Sequence, residues 1–170
     1  MKNKLIVLRG PICSGKSTVS RVLREQLRNS SVADFDAIKQ QIDYRASSSW
    51  RRDIALRTAV YLAGELLQTD RNVIAEIHSA IPVEYDAFQQ AASVHNCPFL
   101  SFLIMAPLDV CLQRNRDRAI RDVWYMPKDS EVIDYWNKTY TIPEEPQYDT
   151  TRKATDEIVL DILRRCEAAG

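Results

Sequence analysis

Eight residues near the start of the chain have the types and spacing of a phosphate-binding loop. Residues 10–17 read Gly-Pro-Ile-Cys-Ser-Gly-Lys-Ser, a match to Gly-x-x-x-x-Gly-Lys-Ser. The glycines let the backbone wrap around phosphate oxygens with its N–H groups pointing inward, and the following helix presents its positive dipole end. In such a loop the lysine reaches the β- and γ-phosphates of ATP and the last hydroxyl binds Mg²⁺. The predicted nucleotide-binding residues are Gly10, Ser14, Gly15, Lys16, Ser17 and Thr18.

Two aspartates follow the apolar pair Val32-Ala33. If the strand continues through them, alternation places Asp34 and Asp36 on one side of it. Asp36, at the end, is the better candidate for accepting a proton from an attacking hydroxyl, and Asp34 is a second candidate on the acceptor side. The alternative is that Asp36 caps the next helix.

A third acidic residue, Glu76, ends the apolar run 73–77. A carboxylate inside such a strand is costly unless it is paired or serves a metal. Glu76 is therefore a candidate for the Mg²⁺ shell, directly or through water, with a structural hydrogen bond to the phosphate-binding loop or to a neighbouring residue as the alternative. His78 shares that side of the strand and is a candidate for the acceptor side, although a lone histidine there is more often only a satisfied polar side chain.

An arginine-rich helical segment lies late in the chain. At helical spacing Arg114, Arg118 and Arg121 share one face, and Arg116 points elsewhere. Guanidinium groups on such a face can offset charge on a transferring phosphoryl group, so Arg114 and Arg118 are predicted catalytic residues. The alternative is a solvated helix with ion pairs along its surface.

Short apolar runs alternate with helical patterns, which is typical of a parallel α/β sheet. Ligands bind beyond the carboxyl ends of the strands in such sheets. The predicted strands are 5–8, 32–35, 73–77, 99–105 and 148–150. The predicted helices are 16–28, one through Ile38 and Ile42, 50–67, one from Pro82, one from Pro107, 129–138 and 156–166. The polar stretch 45–49 is predicted to be a mobile loop.

Size and composition indicate one domain, residues 1–170, with a lid over about 114–139. Lysine plus arginine and aspartate plus glutamate both total 23, so there is no global basic field for long nucleic acid. The four cysteines are far apart and suggest neither a zinc site nor disulfides. The apolar run near the start is too short for a signal peptide or a membrane span, so we expect a cytoplasmic protein without a membrane partner.

The phosphate-binding loop, the aspartate after strand two, the arginine segment and the ending Tyr-Asp-Thr-Thr at 148–151 give the chain a family resemblance. It resembles P-loop kinases of the polynucleotide 5′-hydroxyl kinase, zeta toxin, chloramphenicol phosphotransferase and gluconate or shikimate kinase type. The resemblance implies a three-layer α/β/α sandwich around a five-stranded parallel sheet of order 2-3-1-4-5 with a helical lid. It also implies that Asp36 is the general base, that Lys39 holds the acceptor phosphate or the transferring group, and that Arg114 lies against the nucleotide. Family members usually carry arginine where this chain has Lys39, and a lysine lacks the bidentate fork.

The sequence thus favours an ATP-dependent kinase that phosphorylates a hydroxyl of a small molecule or nucleoside. A polynucleotide 5′-hydroxyl kinase is the second hypothesis, because Arg45, Arg51, Arg52 and Arg57 with Trp50 could form a basic groove with a stacking platform. The same residues could instead belong to a solvated helix face. A non-catalytic nucleotide-binding module is the third hypothesis. The sequence identifies neither the acceptor nor the oligomeric state.

Overall fold

The structure is a computed structural model that describes residues 3–43, 49–121 and 127–169. Its centre is an all-parallel sheet of five strands in the order β2-β3-β1-β4-β5, which confirms the expected strand count and order. The strands are β1 (Leu5–Gly10), β2 (Ser30–Ala33), β3 (Asn72–His78), β4 (Phe99–Met105) and β5 (Gln147–Asp149). Every residue of β1 is buried, as an apolar strand in the middle of a covered parallel sheet should be.

Helices cover both faces of the sheet, which gives the three layers of a P-loop NTPase. They are α1 (Lys16–Gln26), α2 (Phe35–Ile42), α3 (Ser49–Leu67), α4 (Pro82–Val94), α5 (Leu108–Arg121), α6 (Asp129–Asn137) and α7 (Thr155–Ala168). One core lies between the sheet and helices α1 and α7. A second core lies on the other face, under α3 and α4. A smaller cluster joins α5 and α6 beyond the end of β4.

The register of the central strands brings the predicted site residues to one edge of the sheet. β1 runs beside β3 so that Leu8 pairs with Glu76 and Gly10 pairs with His78. The phosphate-binding loop leaves β1 at Gly10 and enters α1 at Lys16. The loop and the polar end of β3 are therefore neighbours, as expected for the ligand-binding edge of a parallel sheet.

The prediction for the second strand was wrong at its end. β2 stops at Ala33, and Asp34 is the N-cap of α2, where its carboxylate accepts a hydrogen bond from the backbone N–H of Ala37 at 2.9 Å. An aspartate at this position satisfies an N–H group that the first helical turn leaves unpaired. Asp34 and Asp36 therefore do not alternate along a strand, and Asp36 lies in the first turn of the helix.

Two predicted segments fall partly outside the described residues. Positions 45–48 of the predicted loop and positions 122–126 of the predicted lid are not described, and neither is the side chain of Arg121. The described parts of the lid are the helices α5 and α6. Among the described helices, none is both long enough and apolar enough to cross a membrane.

Candidate active site

The phosphate-binding loop has a backbone that requires both of its glycines. A Cβ atom on Gly10 would lie 2.1 Å from the carbonyl oxygen of Ile104 in β4, so no other residue fits there. Gly15 has a φ of 105°, a region that side chains strongly disfavour. The Ser14 hydroxyl is buried without a hydrogen-bond partner among the described residues. An unpaired polar group in a loop of this shape is what a polar ligand would satisfy.

Lys16 and Ser17 begin α1 and lie against acidic and carbonyl oxygens. The Lys16 ammonium donates to the carbonyl oxygens of Gly10 and Pro11 at 3.0 and 2.8 Å. Burial lowers the pKa of Lys16, with the charges of Glu76 and Asp36 opposing that shift. The Ser17 hydroxyl donates to a Glu76 carboxylate oxygen at 2.8 Å.

Glu76 makes the hydrogen bond to the phosphate-binding loop that the sequence analysis gave as the alternative to metal binding. Its carboxylate also accepts a hydrogen bond from Ser20, one turn further along α1. Burial raises the pKa of Glu76, and the hydrogen bond from Ser17 partly offsets that effect. The pair of Glu76 and Ser17 therefore places a carboxylate and a hydroxyl side by side at the end of the loop.

These oxygens suit Mg²⁺, which prefers hard oxygen ligands and is usually held by one or two protein groups together with phosphate oxygens. Ser17 and Glu76 are the side chains that would hold it, directly or through water. No group of three or more histidine, cysteine, aspartate or glutamate side chains that could hold a metal occurs among the described residues. The donor set therefore fits a metal that arrives with a nucleotide rather than one caged by protein alone.

A cavity of about 230 Å³ opens over the loop. It is lined by residues 13–18 together with Arg114 and Arg118 of α5. A larger groove of about 500 Å³ beside α4 has no lysine or arginine among its lining residues, so it lacks the charge that binds phosphate. The small cavity is therefore the candidate nucleotide site.

The two lid arginines that line the cavity differ in their contacts. One Arg114 nitrogen lies 3.3 Å from the carbonyl oxygen of Cys13, 3.2 Å from that of Ser14 and 3.0 Å from the Thr150 hydroxyl. Arg118 is exposed, and its charge is near enough to oppose the rise that burial causes in the pKa of Cys13. Arg114 thus contacts the carbonyl oxygens of the phosphate-binding loop, whereas Arg118 is exposed.

Arg116 points away from the loop, as its helical position predicts. It pairs with Asp129 of α6 at 2.8 Å, and both side chains are largely exposed. Asn115 joins the same helices by donating to the carbonyl oxygen of Pro127 at 2.9 Å. These contacts hold α6 against α5.

Asp36 lies in the first turn of α2, with its side chain 59% exposed. The Lys39 ammonium is 2.5 Å from one of its oxygens and 4.6 Å from the centre of the Phe35 ring. The surrounding protein opposes ionisation of Asp36, but the positive charges of His78 and Lys39 outweigh that effect and hold the pKa of Asp36 below its ordinary value. Asp36 is thus an ionised carboxylate that a hydroxyl can reach. The cap that the sequence assigned to it as an alternative is supplied by Asp34.

His78 is buried at the end of β3 rather than open to a ligand. Its ring Nδ1 lies 3.2 Å from a carboxylate oxygen of Glu84, whose other bond is to the His78 backbone N–H at 2.8 Å. The ring also packs against Phe35 and Tyr135, with centroid distances of 6.0 and 4.9 Å. A bound acceptor would therefore contact the neighbours of His78 and not its ring.

Sequence reasoning missed two residues of the site. The Thr150 hydroxyl donates to the carbonyl oxygen of Ser14 at 2.8 Å while it accepts from Arg114, so it joins the end of β5 to the loop. The family resemblance included residues 148–151, but it assigned no role to Thr150. Glu84 is completely buried beside His78, and its position in the first turn of α4 gave no signal of that contact.

Comparisons with known proteins agree with this geometry. A family model named AAA_33 and described as an AAA domain matches residues 5–143. No curated protein sequence matches the chain.

Several solved structures share the fold. A candidate kinase from Chloroflexus aurantiacus j-10-fl has a TM-score of 0.80 at 17% identity, over 96% of this chain and 98% of that one. A gluconokinase from Sinorhizobium meliloti 1021 has a TM-score of 0.71 at 17% identity, over 99% and 94%. The Pnkp1/Rnl/Hen1 RNA repair complex contains a chain with a TM-score of 0.66 at 18% identity, over 81% of this chain but only 44% of that one. At these identities the likeness shows the fold alone.

Proposed function

The chain belongs to the AAA_33 family, and from that membership we propose that it is an ATP-dependent kinase that phosphorylates a hydroxyl group of a small molecule or nucleoside. The observation that carries the proposal is the position of Asp36. An exposed carboxylate with a lowered pKa lies in the first turn of α2, outside the helix cap, where the charge of Lys16 acts on it. Phosphoryl transfer needs such a group to orient its nucleophile, whereas nucleotide binding alone does not.

The loop side of the site would bind and neutralise the phosphates. Lys16 has an ammonium group that the loop carbonyls of Gly10 and Pro11 already orient, and in the reaction it would contact the β- and γ-phosphates. Arg114 would keep the loop in shape through its contacts with Ser14 and Thr150. Arg118, which is exposed at the cavity, would place positive charge near the transferring group.

Ser17 and Glu76 would hold Mg²⁺ next to these phosphates. There the metal would supply positive charge that offsets the charge of the phosphates. In this structure the Ser17 hydroxyl donates a hydrogen bond to the Glu76 carboxylate, which keeps both groups oriented. The metal and ATP together are the cofactor and phosphate donor of the proposed reaction.

Asp36 would accept a hydrogen bond, and then the proton, from the acceptor hydroxyl. Its partner Lys39 would remain close to the carboxylate and help hold an anionic acceptor or the group in transfer. A general base positioned in this way typically contributes a factor of about 10²–10⁴ to the rate. The reaction is thus an in-line attack of the acceptor oxygen on the γ-phosphorus, with ADP as the leaving group.

A polynucleotide 5′-end is the weaker acceptor hypothesis, although one fold relative comes from an RNA repair complex. Arg51 is only 7% exposed and donates to the carbonyl oxygen of Lys39 at 2.7 Å. The charge of Arg52 opposes the rise that burial causes in the pKa of Tyr135. Arg45 lies outside the described residues. Arg57 and Trp50 are the exposed members of the predicted groove on α3. The four free cysteines agree with the cytoplasmic setting that we also propose.

The proposal is tested by transfer of labelled γ-phosphate from ATP, with Mg²⁺, to a panel of acceptors. The panel contains nucleosides, sugars, hydroxylated antibiotics, and 5′-hydroxyl DNA and RNA oligonucleotides. Label on a small molecule or nucleoside is the expected result, and label on an oligonucleotide would make the chain a polynucleotide kinase. Nucleotide binding without Lys16-dependent consumption of ATP would identify a binding module instead.

Variants then assign the roles. Lys16→Ala should abolish transfer, and Asp36→Asn should lower turnover by about 10²-fold or more while ATP affinity stays the same. Asp34→Asn is the comparison, because asparagine caps a helix as well as aspartate does. Near-normal turnover in Asp36→Asn would remove Asp36 as the base, and a large loss in Asp34→Asn would transfer that role to Asp34.

A further inference from the structure

Ser79, the first residue after β3, is buried and joins separate parts of the fold through each of its hydrogen-bonding groups. It is 0% exposed. Its backbone N–H donates to the carbonyl oxygen of Gly10 at 3.3 Å, and its own carbonyl oxygen accepts from the backbone N–H of Tyr140 at 3.2 Å. Its hydroxyl lies 2.7 Å from the hydroxyl of Thr139. One residue thus connects the end of β1 to the segment that follows α6.

The hydrogen bond between the two hydroxyls has a defined direction. A hydroxyl group has one hydrogen to donate, and the Thr139 hydroxyl donates it to the carbonyl oxygen of Tyr135 in α6 at 3.0 Å. Ser79 is therefore the donor to Thr139. Without that acceptor the Ser79 hydroxyl would be a buried donor with a lost partner, which is costly. The contact therefore favours one position for the C-terminal end of α6.

On its other side Ser79 contacts the base of the phosphate-binding loop. The carbonyl oxygen of Gly10 accepts both from the Ser79 backbone N–H and from the Lys16 ammonium, the latter at 3.0 Å. Gly10 packs so closely against Ile104 that no Cβ atom fits between them. The end of α6 is thus anchored, through Ser79, to a tightly packed carbonyl group that also orients Lys16.

The other end of α6 is fastened to α5. Asp129, in the first turn of α6, pairs with Arg116 at 2.8 Å. The carbonyl oxygen of Pro127, just before α6, accepts from Asn115 at 2.9 Å. The helix α6 therefore lies between two fixed points, namely Ser79 at its end and α5 at its start.

These contacts form a closed path around the nucleotide cavity. The path runs from Gly10 through Ser79 to α6, then to α5, and from Arg114 of α5 back to the loop carbonyl oxygen of Ser14. Arg118 lines the same cavity one turn further along α5. The place of Arg118 therefore depends on where α6 holds that helix.

We propose that Ser79 is a positioning residue, which sets the place of α6 and, through α6, the place of Arg118 over the nucleotide cavity. The inference rests on the proposed function, in which Arg118 places positive charge near the transferring group. It adds to that function a buried residue that acts through two helices.

The first test follows α6 itself and needs no acceptor. The chain has three tryptophans, and a background with Trp50→Phe and Trp124→Phe keeps one of them, Trp136. This residue lies in α6, and its indole N–H donates to the carbonyl oxygen of Ala106 at 2.9 Å. In that background Ser79→Ala should raise the acrylamide quenching constant about twofold, because a loosened helix exposes its side chains more often. Unchanged quenching would overturn the proposal.

Variants at Thr139 show whether the contact between the hydroxyls is responsible. Thr139→Val removes the acceptor and should raise quenching as Ser79→Ala does, and it decides the test if Ser79→Ala does not fold. Thr139→Ser keeps the hydroxyl and should leave quenching unchanged. Thr58→Val is the matched control, because the Thr58 hydroxyl makes the same kind of bond within a helix, to the carbonyl oxygen of Ile54 at 2.8 Å. An equal change in Thr58→Val would overturn the assignment.

Kinetics test whether Ser79 acts through Arg118. Ser79→Ala should lower kcat by about tenfold and change KM for the acceptor by less than about twofold, because misplacing a group that acts in the transition state lowers the rate. In an Arg118→Gln background the same substitution should lower kcat by less than about twofold, since the positioned group is already gone. Losses that multiply would show independent roles and would overturn the inference.

The results distinguish failure of this inference from failure of the proposed function. If no acceptor of the panel is phosphorylated, the kinase assignment fails, and quenching of Trp136 still shows whether Ser79 holds α6. If transfer depends on Lys16 and Asp36 while Ser79→Ala has the wild-type kcat, the kinase assignment stands and only the positioning role of Ser79 fails.

Discussion

Arg9 offers a stringent test of how the site is anchored, because it is a charged residue with no exposed surface at the end of the central strand. Its guanidinium nitrogen Nε donates to both carboxylate oxygens of Glu145, at 2.7 and 2.8 Å, and their side chains are 0% and 1% exposed. A second nitrogen donates to the carbonyl oxygen of Tyr140, and the group lies 4.3 Å from the centre of the Tyr140 ring. The pair joins the residue before the phosphate-binding loop to the segment that follows α6.

Removing one charge should be far more harmful than removing both. Arg9→Met leaves the Glu145 carboxylate buried without its partner, and breaking a buried pair in this way costs about 3–5 kcal/mol. Against a total stability of about 5–15 kcal/mol for a domain, such a loss leaves little reserve. Glu145→Met should cost a similar amount, because it leaves the guanidinium unpaired.

The double variant carries two apolar side chains of suitable size and no buried charge. Its expected cost is only about 1–2 kcal/mol, mainly for the lost hydrogen bond to the Tyr140 carbonyl. It also removes Arg9 Nη1, a buried nitrogen for which the described residues supply no partner. The two single losses therefore should not add, and the coupling energy between Arg9 and Glu145 should be several kcal/mol.

Urea unfolding of wild type, both single variants and the double variant measures this coupling, with equal m-values as the condition for comparing free energies. Arg21→Met is the control, since Arg21 and Glu25 form an exposed pair with side chains 66% and 61% exposed. Its expected cost is about 0.5 kcal/mol or less. A loss below about 1 kcal/mol in Arg9→Met, or strictly additive losses in the double variant, would refute the reasoning.

Two further predictions concern the loop. Gly10→Ala places a Cβ atom 2.1 Å from the Ile104 carbonyl oxygen, so it should lose ATP binding by calorimetry and lower the free energy of unfolding by about 1–3 kcal/mol or more. Gly64→Ala in α3 meets only a histidine side chain and should bind ATP normally. Glu76→Gln removes a carboxyl whose pKa burial raises. Folding favours the protonated form of that carboxyl, so its contribution to stability falls as pH rises through the raised pKa. The variant should therefore be more stable than wild type at pH 7, yet bind MgATP more weakly; lower stability at pH 7 would contradict this.

The parts of the site that the sequence predicts well are those fixed by local backbone geometry. The glycines, lysine and serine of the loop occur together within eight residues, and the strand before them is marked by its apolar composition alone. The strand order came from the family resemblance, and the register of β1 and β3 then brings Glu76 and His78 to the loop. The placement of Asp34 and Asp36 on a strand was wrong, because β2 ends at Ala33 and Asp34 caps α2 through a hydrogen bond from the backbone N–H of Ala37.

Contacts between distant segments were not predictable from local patterns. Glu145 lies 136 residues from Arg9, and neither position carries a motif. Glu84 reads as a favourable acidic residue in a first helical turn, a role that gives no hint of complete burial beside His78. In each case the sequence contains the charged residue, but only the packing of the sheet against a loop or a helix identifies its partner.

The helix α3 was predicted, but Arg51 lies on its buried face and not on the exposed face that a basic groove needs. Its buried row has a spacing of four, and it consists of Arg51, Ala55, Ala59, Ala63 and Leu67. Small side chains let the helix approach its neighbours closely, and Arg51 continues the row, so its head group is directed to the carbonyl oxygen of Lys39 and not to solvent. Ile54, which looks like a core residue, is 38% exposed. A groove for nucleic acid requires outward-facing cations, and α3 instead directs Arg51 to the carbonyl oxygen of Lys39 in α2. Arg51 therefore adds no outward-facing charge to the predicted groove, whereas Arg57 on the same helix is exposed.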